Sequence, residues 1–540
     1  MKKLARLAAT AFSWCFFTVT ANAQAQPKPN IVLIMADDLG YSDLGCYGSE
    51  IHTPELDRLA SRGLRLTEFY NNSICAPSRA SLLTGQYQHK AGIGYFNVDL
   101  GLPAYQGYLN NSSLTLAEVL KANGYTTLMA GKWHVGNEQP YWPNQRGFDH
   151  FFGFIGAQSP YFPASSAGQT PGPRGKLRLI EDNQPVEPTG DSYYLTDDFG
   201  DHAVTFLENQ KTTKKPFFLY LAFNAPHVPL QALPEDIARY KGTYDKGWEL
   251  IRTERTARQQ LLGLRPARQT VARRAPNDPD WAQLTPAQQQ AWSANMETYA
   301  AMIDRMDQNI GKVVRKIQEL GQENNTLIVF ISDNGAPAEN MRTNSSAGGR
   351  PGPAGAPGAQ QISYAISTPN TPLKEYKNTM YEGGISSPLI AYWPGKIKPM
   401  QFRTGTAHLI DIAPTFYSIA KVPYPATYQG VAAYPLPGLD LSCLLLQGQE
   451  VKRPAPLCWE RAGNRAVRDG NWKLVGKFPA ANWELYNVST DRGETKNLAA
   501  ANPAIVKRLA AAYAAWATAT GVVDFSLLQD KVPTGRLRAD

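Results

Sequence analysis

Four segments of this chain are built alike: a short apolar run, rich in β-branched and aromatic residues, that stops abruptly at polar ones. Residues 30–36 end in Asp37-Asp38, and residues 126–130 end in Gly131-Lys132-Trp133-His134. Residues 217–223 end in Asn224-Ala225-Pro226-His227, and residues 326–332 end in Asp333-Asn334-Gly335. Apolar runs of this length read as strands buried on both faces, as in a parallel sheet covered by helices. Helical patterns precede the last three, at 114–123, 197–210 and 296–320, with Gly124 and Gly321 as stops. The alternation predicts an α/β fold, a large mixed but mostly parallel sheet sandwiched by helices. In open α/β sheets, ligands bind beyond the carboxyl ends of the strands. The polar groups at the four run ends are therefore expected to face one crevice.

A fifth segment supplies a reactive side chain. Ser73-Ile74-Cys75-Ala76-Pro77-Ser78-Arg79 leads into a helix-like run closed by Gly85. Proline is favoured in the first helical turn, where its missing N–H would be unpaired anyway. Cys75 is thus placed at a helix N-terminus, where free backbone donors and the dipole favour a tetrahedral anion. Arg79 follows about one turn later and can point to the same spot.

Asp37, Asp38, Asp333 and Asn334 are oxygen donors at two strand ends. Adjacent residues inside a strand face opposite ways, so both members of a pair reach one ion only where the strand stops and turns. Asp37-Asp38 alone reads as a turn or a helix cap. Matched by Asp333-Asn334, it reads as half of a cation site. Hard oxygens without a Cys or His cluster favour Ca²⁺ or Mg²⁺ over zinc. Such an ion would bind one oxygen of a substrate anion and neutralise its charge.

The Cys75–Arg79 block, with Leu83-Thr84-Gly85, resembles the signature of the type I, formylglycine-dependent sulfatases of the alkaline-phosphatase superfamily. Further blocks are similar to that family and occur in its order over residues 30–395. They are Asp37-Asp38-Leu39-Gly40, Gly131-Lys132-Trp133-His134-Val135-Gly136, Ala225-Pro226-His227, Ser332-Asp333-Asn334-Gly335, and Tyr376-Lys377-Asn378-Thr379-Met380-Tyr381-Glu382-Gly383-Gly384-Ile385. The resemblance implies hydrolysis of sulfate esters of the arylsulfatase type, releasing inorganic sulfate and an alcohol or phenol. It implies that a maturation enzyme converts Cys75 to formylglycine, whose hydrate attacks sulfur. Arg79 would hold the hydrate, and Lys132 and Lys377 would neutralise the sulfate oxygens. His227 would protonate the leaving oxygen, and His134 would deprotonate the remaining hydroxyl. Calcium is the implied ion, held by Asp37, Asp38, Asp333, Asn334 and the group at Cys75; sequence chemistry leaves magnesium open. Tyr87 and His89 are expected to pack behind the site, with a pocket-lining place for His89 as the alternative. One departure is Ser386-Ser387-Pro388, where the family commonly has Arg-Val-Pro, which bears on the packing of a strand at 389–393.

Rival readings are a phosphate or phosphonate ester hydrolase on the same fold and, if Cys75 stays a thiol, a non-enzymatic sulfate-binding protein. A thiol hydrolase using Cys75 and a histidine explains neither acidic pair.

After residue 450 the pattern changes. Residues 464–475 read as a hairpin around Asp469-Gly470, residues 484–488 as a strand, and Pro503–Thr520 as a helix stopped by Gly521. Three parts are expected: a signal peptide at 1–23, a catalytic domain at 27–450, and a smaller C-terminal α+β unit with an antiparallel sheet at 451–540. The leader has Lys2, Lys3 and Arg6, an apolar stretch over 7–19, and small residues at Ala21 and Ala23. It predicts export, to the periplasm, without stable membrane insertion. Without those three basic residues, 51 basic face 46 acidic side chains; this suits an anionic substrate and does not argue for nucleic acid. Arg252, Arg255, Arg258, Arg265, Arg268, Arg273 and Arg274 read as a solvated, partly helical insertion, or as a contact surface for a polyanion. The Gly- and Pro-rich stretch 341–361 reads as a surface loop or a mobile rim. Sequence separation does not decide whether Cys443 and Cys458 pair.

Overall fold

Strand β1 (Asn30–Asp37) is buried along its whole length, and its alternate residues serve two different cores. Val32, Ile34 and Ala36 join one cluster, while Ile31, Leu33 and Met35 join another. That division is the period-2 geometry of a strand covered on both faces. The computed structural model describes residues 27–163, 177–188, 192–275, 278–337, 367–399, 401–480 and 482–533.

Ten further strands complete the large sheet: β2 (Leu64–Tyr70), β3 (Thr126–Lys132), β4 (His150–Phe154), β5 (Leu179–Glu181), β6 (Gln184–Val186), β7 (Phe217–Pro226), β8 (Thr326–Ser332), β9 (Ser386–Tyr392), β10 (Gln401–Arg403) and β11 (Ala407–His408). The order is β10-β2-β9-β8-β1-β7-β3-β4-β5-β6, with β11 also beside β2. The central run β8-β1-β7-β3-β4 is parallel, and β9 is antiparallel to both neighbours. The long helix Pro286–Glu319 and the helix Leu195–Asn209 cover one face, and Cys75–Thr84, Leu116–Ala122 and Ile412–Ala420 the other. This is the expected mixed, mostly parallel sheet between helices.

A two-residue hairpin, β12 (Thr427–Tyr428) with β13 (Val431–Ala432), precedes an antiparallel meander. The meander comprises β14 (Leu457–Arg461), β15 (Asn464–Asp469), β16 (Trp472–Gly476) and β17 (Trp483–Asn487). The helix Pro503–Thr520 packs Leu509 on Val467, Leu474 and Leu485.

Two expectations shift. The long helix begins at Pro286 rather than 296, because Thr285 and Gln288 form a reciprocal capping box and Pro286 sits in the first turn. In the β15–β16 hairpin, Asp469 pairs with Trp472, so the loop residues are Gly470 and Asn471. Gly470 at φ 56 takes the first loop position, where a positive φ is required.

Candidate active site

Parallel pairing assembles the acidic residues. β1 lies between β7 and β8, with Ala36 opposite Ser332 and Asp37 opposite Pro226. Adjacent strands are ~4.8 Å apart, so Asp37-Asp38, Asp333-Asn334 and His227 leave the sheet side by side. Asp38 turns the chain in the left-handed region at φ 70. Its N–H donates to Asp333 Oδ1 (3.2 Å), and its Oδ1 accepts from Asn334 Nδ2 (2.6 Å). From β3, Lys132 Nζ donates to Asp37 Oδ2 at 2.6 Å. Lys132 reaches this place because Gly131 sits at φ 123, against the next strand. A Cβ there would fall 1.9 Å from the Ala222 carbonyl oxygen.

Cys75 is the first residue of the helix Cys75–Thr84 and is buried. One turn on, Arg79 is fully enclosed. Its Nη1 donates to the Lys132 carbonyl (2.9 Å) and its Nη2 to Asp333 Oδ2 (3.0 Å), 3.7 Å from Asp37 Oδ2. One guanidinium thus ties the Cys75 helix to three strand ends. Burial pushes the Cys75 thiol up, against the pull of Lys132 and Lys377. That burial works against a thiolate at an unmodified Cys75.

The histidines differ. His134 sits at φ 63 with both ring nitrogens lacking a partner among the described residues. Its ring stands edge-on to Phe96, 5.0 Å between centroids. Burial, then Lys132 and Arg79, hold it well below the usual imidazole range. His227 donates from Nδ1 to the Val228 carbonyl (2.7 Å), leaving Nε2 3.6 Å from Asp38 Oδ2. Burial lowers it also, against the carboxylates of Asp38 and Asp37. Lys377 Nζ lies 2.8 Å from Asp38 Oδ1, and its N–H donates to the Ala336 carbonyl (3.1 Å).

The donor set suits a divalent cation. Asp37 Oδ1 and Asn334 Oδ1 are buried without a hydrogen-bond partner among the described residues. Ligand atoms of Asp37, Asp38 and His227 lie within 4.8 Å of one another. Against burial, Lys132, His227 and Arg79 hold the Asp37 carboxyl well below its usual range. Burial and the Asp37 charge push Asp333 up to about 8 despite Arg79. Carboxylates so crowded share a proton unless a cation replaces it.

All the residues singled out from the sequence for this site therefore converge on one cleft. Tyr87 and His89 pack against the C-terminal unit: His89 Nε2 meets Glu460 Oε2 at 2.7 Å, and both rings stand edge-on to Trp516. The arginine cluster is corrected in part. Arg255 is not solvated; it is fully buried on Asp43 (2.7 Å) and Glu50 (2.6 Å), anchoring the helix Trp248–Leu261. Arg258 and Arg274 also pair, with Glu50 and Glu249. Cys443 and Cys458 are free thiols, the first exposed and the second buried. The leader, the stretch 341–361 and residues 534–540 lie outside the described residues.

Sequence reasoning missed the partners of Glu382. This fully buried carboxylate accepts from Tyr70 (2.7 Å), Lys473 (2.9 Å) and Arg492 (3.2 Å). Arg492 also donates to Ser386 Oγ (2.8 Å), so a guanidinium arrives from the turn after β17 at the position where the family pattern led us to expect arginine. β9 forms with every residue buried. Only the departure at Ser386 hinted at this, because partners more than 80 residues away leave no local pattern.

Comparison with known proteins identifies the family. A sequence model of the sulfatase family matches residues 29–422. The chain is 34% identical to an arylsulfatase of Klebsiella aerogenes over 78% of its length and 93% of that protein. It is 31% identical to human arylsulfatase A over 90% of its length and 87% of that protein. Among solved structures, it resembles that described as Ps i-CgsB in complex with k-i-k-neocarrahexaose, with a TM-score of 0.68, 28% identity, and coverage of 91% and 92% of the two chains. The family match spans most of the chain and relatives above 30% identity cover nearly all of it, so this chain belongs to the sulfatase family and is a sulfuric ester hydrolase.

Proposed function

We propose that the cleft cleaves sulfate esters with Cys75, matured to formylglycine, as the nucleophilic position and a calcium ion, or magnesium in its place, held by Asp37, Asp38, Asp333 and Asn334. The observation that carries this reading is the convergence of Arg79, Lys132, His134, His227 and Lys377 with both acidic pairs around the N-terminus of the Cys75 helix. The cation would draw charge from the sulfate oxygens and acidify the attacking hydroxyl. Hydrated formylglycine supplies two geminal hydroxyls, one to take the sulfuryl group and one whose deprotonation expels sulfate and restores the aldehyde.

The chain's own groups do the rest. Arg79 fixes the helix start against Asp333 and the Lys132 carbonyl, which holds residue 75 in register with the strand ends. Lys132 and Lys377 present fixed positive charge where the transition state gathers negative charge. His227, with its Nδ1 proton committed to Val228, uses Nε2 to protonate the leaving oxygen. His134, kept neutral by its surroundings, accepts the proton of the remaining hydroxyl.

Residues 27–450 form the catalytic domain of this reading and 451–540 a smaller α+β unit. The leader at 1–23 directs export to the periplasm, and no helix among the described residues is long and apolar enough to cross a membrane. Aryl sulfates are the first substrates to test, given the arylsulfatase relatives. Sulfated sugars are the second, given the neocarrahexaose complex of a structural relative. The deciding experiment is the mass of the peptide containing Cys75 from exported protein, together with turnover of Cys75→Ala. A peptide lighter than the thiol form, refractory to alkylation, and an inactive folded variant are expected. An alkylatable thiol in fully active enzyme overturns the reading.

A further inference from the structure

Lys377 is not carried by a strand. It sits in the segment 374–386, and the C-terminal sheet grips that segment along its length. Lys374 Nζ donates to Tyr486 OH (3.1 Å) and lies 3.8 Å from the centre of the Tyr381 ring. Lys477 Nζ donates to Glu375 Oε1 (3.0 Å), and Tyr381 OH to Glu484 Oε2 (2.6 Å). At the far end, Glu494 Oε2 accepts the Glu382 N–H (2.7 Å), while Lys473 bridges Glu382 (2.9 Å) and Glu494 (3.0 Å). Lys473, Glu382 and Glu494 are all buried.

On its other side the same segment presses on the cleft. A Cβ on Gly335, the residue after Asn334, would fall 1.7 Å from the Gly383 carbonyl oxygen, and the Gly335 N–H donates to the Gly384 carbonyl (3.2 Å). The Asn378 N–H donates to the Ser73 carbonyl (2.8 Å), two residues before Cys75. Glu375, two residues before Lys377, and Asn378, directly after it, have φ values of 59 and 73 in the left-handed region, which asparagine adopts readily but glutamate holds when surrounding structure imposes it. Those constraints come from the cleft on one side and from Lys374, Glu375, Tyr381 and Glu382 bound to the C-terminal sheet on the other.

We propose that Glu382 and Glu375 are positioning residues through which the C-terminal unit, by Lys473 of β16 and by Lys477 and Glu494 in the segments after β16 and β17, sets the placement of Lys377 and Asn334. The C-terminal unit then acts as a clamp for half of the site. It does more than border the pocket. The inference rests on the role proposed above for Lys377.

The test uses full-length enzyme and two perturbations of different depth. Glu382→Gln keeps the volume and one acceptor but removes the charge facing Lys473 and Arg492. Lys477→Met removes a half-exposed ammonium and leaves Glu375 without that partner. KM for an aryl sulfate and the inhibition constant of inorganic sulfate are measured on protein shown to be folded by circular dichroism at the assay temperature. A misplacement of ~1 Å costs on the order of 100-fold. The deeper variant is therefore expected to lose ~10- to ~100-fold in kcat/KM. In both variants KM and the sulfate constant should rise together, and Lys477→Arg should restore them. A merely structural role would lower the melting temperature and leave both constants at wild-type values in folded protein, which overturns the proposal. Lys377→Ala separates the two readings. If it is inactive while both positioning variants keep wild-type constants, the clamp fails and the site stands. If it is fully active, the role of Lys377 fails first.

Discussion

Arg79 offers a sharp test of how the site is held. Its guanidinium is fully enclosed and bonded to the Lys132 carbonyl at 2.9 Å and to Asp333 Oδ2 at 3.0 Å. Arg79→Met fills the shaft but removes both donors, leaving the buried Lys132 carbonyl and Asp333 Oδ2 unsatisfied, at a cost of about 1–3 kcal/mol each. Arg79→Lys keeps the charge, but a single ammonium replaces the fork that serves both acceptors. One acceptor is then unsatisfied, at a cost of about 1–3 kcal/mol. Against a total stability of about 5–15 kcal/mol, both losses are measurable, and thermal melting should rank wild type above lysine above methionine. Calcium adds a second dimension. At 100 times its dissociation constant a native-state ligand stabilises by about 2.7 kcal/mol. The methionine variant, with Asp333 freed, should gain more from calcium than wild type. The assay is melting with and without millimolar calcium chloride, alongside aryl sulfate turnover. Both variants should lose at least ~100-fold in kcat/KM, the scale of losing one preorganised contact. A methionine variant that melts with wild type, or calcium that shifts no form of the protein, would refute the reasoning.

Other outcomes follow from the same geometry. Chelation should remove most activity and lower the melting temperature, and readdition of calcium or magnesium separately will show which ion restores both; activity indifferent to chelation sinks the cation site. Asp333→Ala should behave as chelated enzyme and not recover on readdition. The pH profile of kcat/KM should peak below the ordinary histidine value of 6.5. His227 must be protonated and its range is lowered, so activity falls as pH rises. His134 must be neutral to expel sulfate and its range is lowered further, so an acid limb at still lower pH belongs to the profile of kcat. A profile flat from about pH 5 to 9 contradicts this pair of roles. Gly131→Ala should abolish activity, because the new methyl would have to displace the Ala222 backbone 1.9 Å away and Lys132 with it. Wild-type turnover by that variant would show that the strand end is not so tightly packed.

Much of this was legible in the chain. The apolar runs gave the parallel strands because a strand buried on both faces must be apolar throughout, a local and unbroken signal. The strand ends gave Asp37, Asp38, Lys132, His134, His227, Asp333 and Asn334, because the sheet's chemistry sits where apolar residues stop. The Cys75–Arg79 block gave the helix start, and the family resemblance joined Lys377 to the set. Sequence patterns placed Pro503–Thr520 as a helix, with Gly521 at φ 84 as its stop. The earlier start of the long helix was written in the Thr285–Gln288 box, but a polar first turn carries no hydrophobic period to reveal it.

Only the folded chain decided what holds the site in place. Arg79 finds Asp333 across 254 residues, Lys377 finds Asp38 across 339, and Lys473 finds Glu382 across 91. Arg255, one of a run of arginines that read as solvated, is drawn into the interior by Asp43 and Glu50. Nothing local distinguishes such a residue from an exposed one. A charged side chain is stable in the interior only if its partner is already there, and which partner arrives is fixed by the register of parallel strands and the docking of one sheet on another. Periodicity records which residues leave water; it does not record which of them meet.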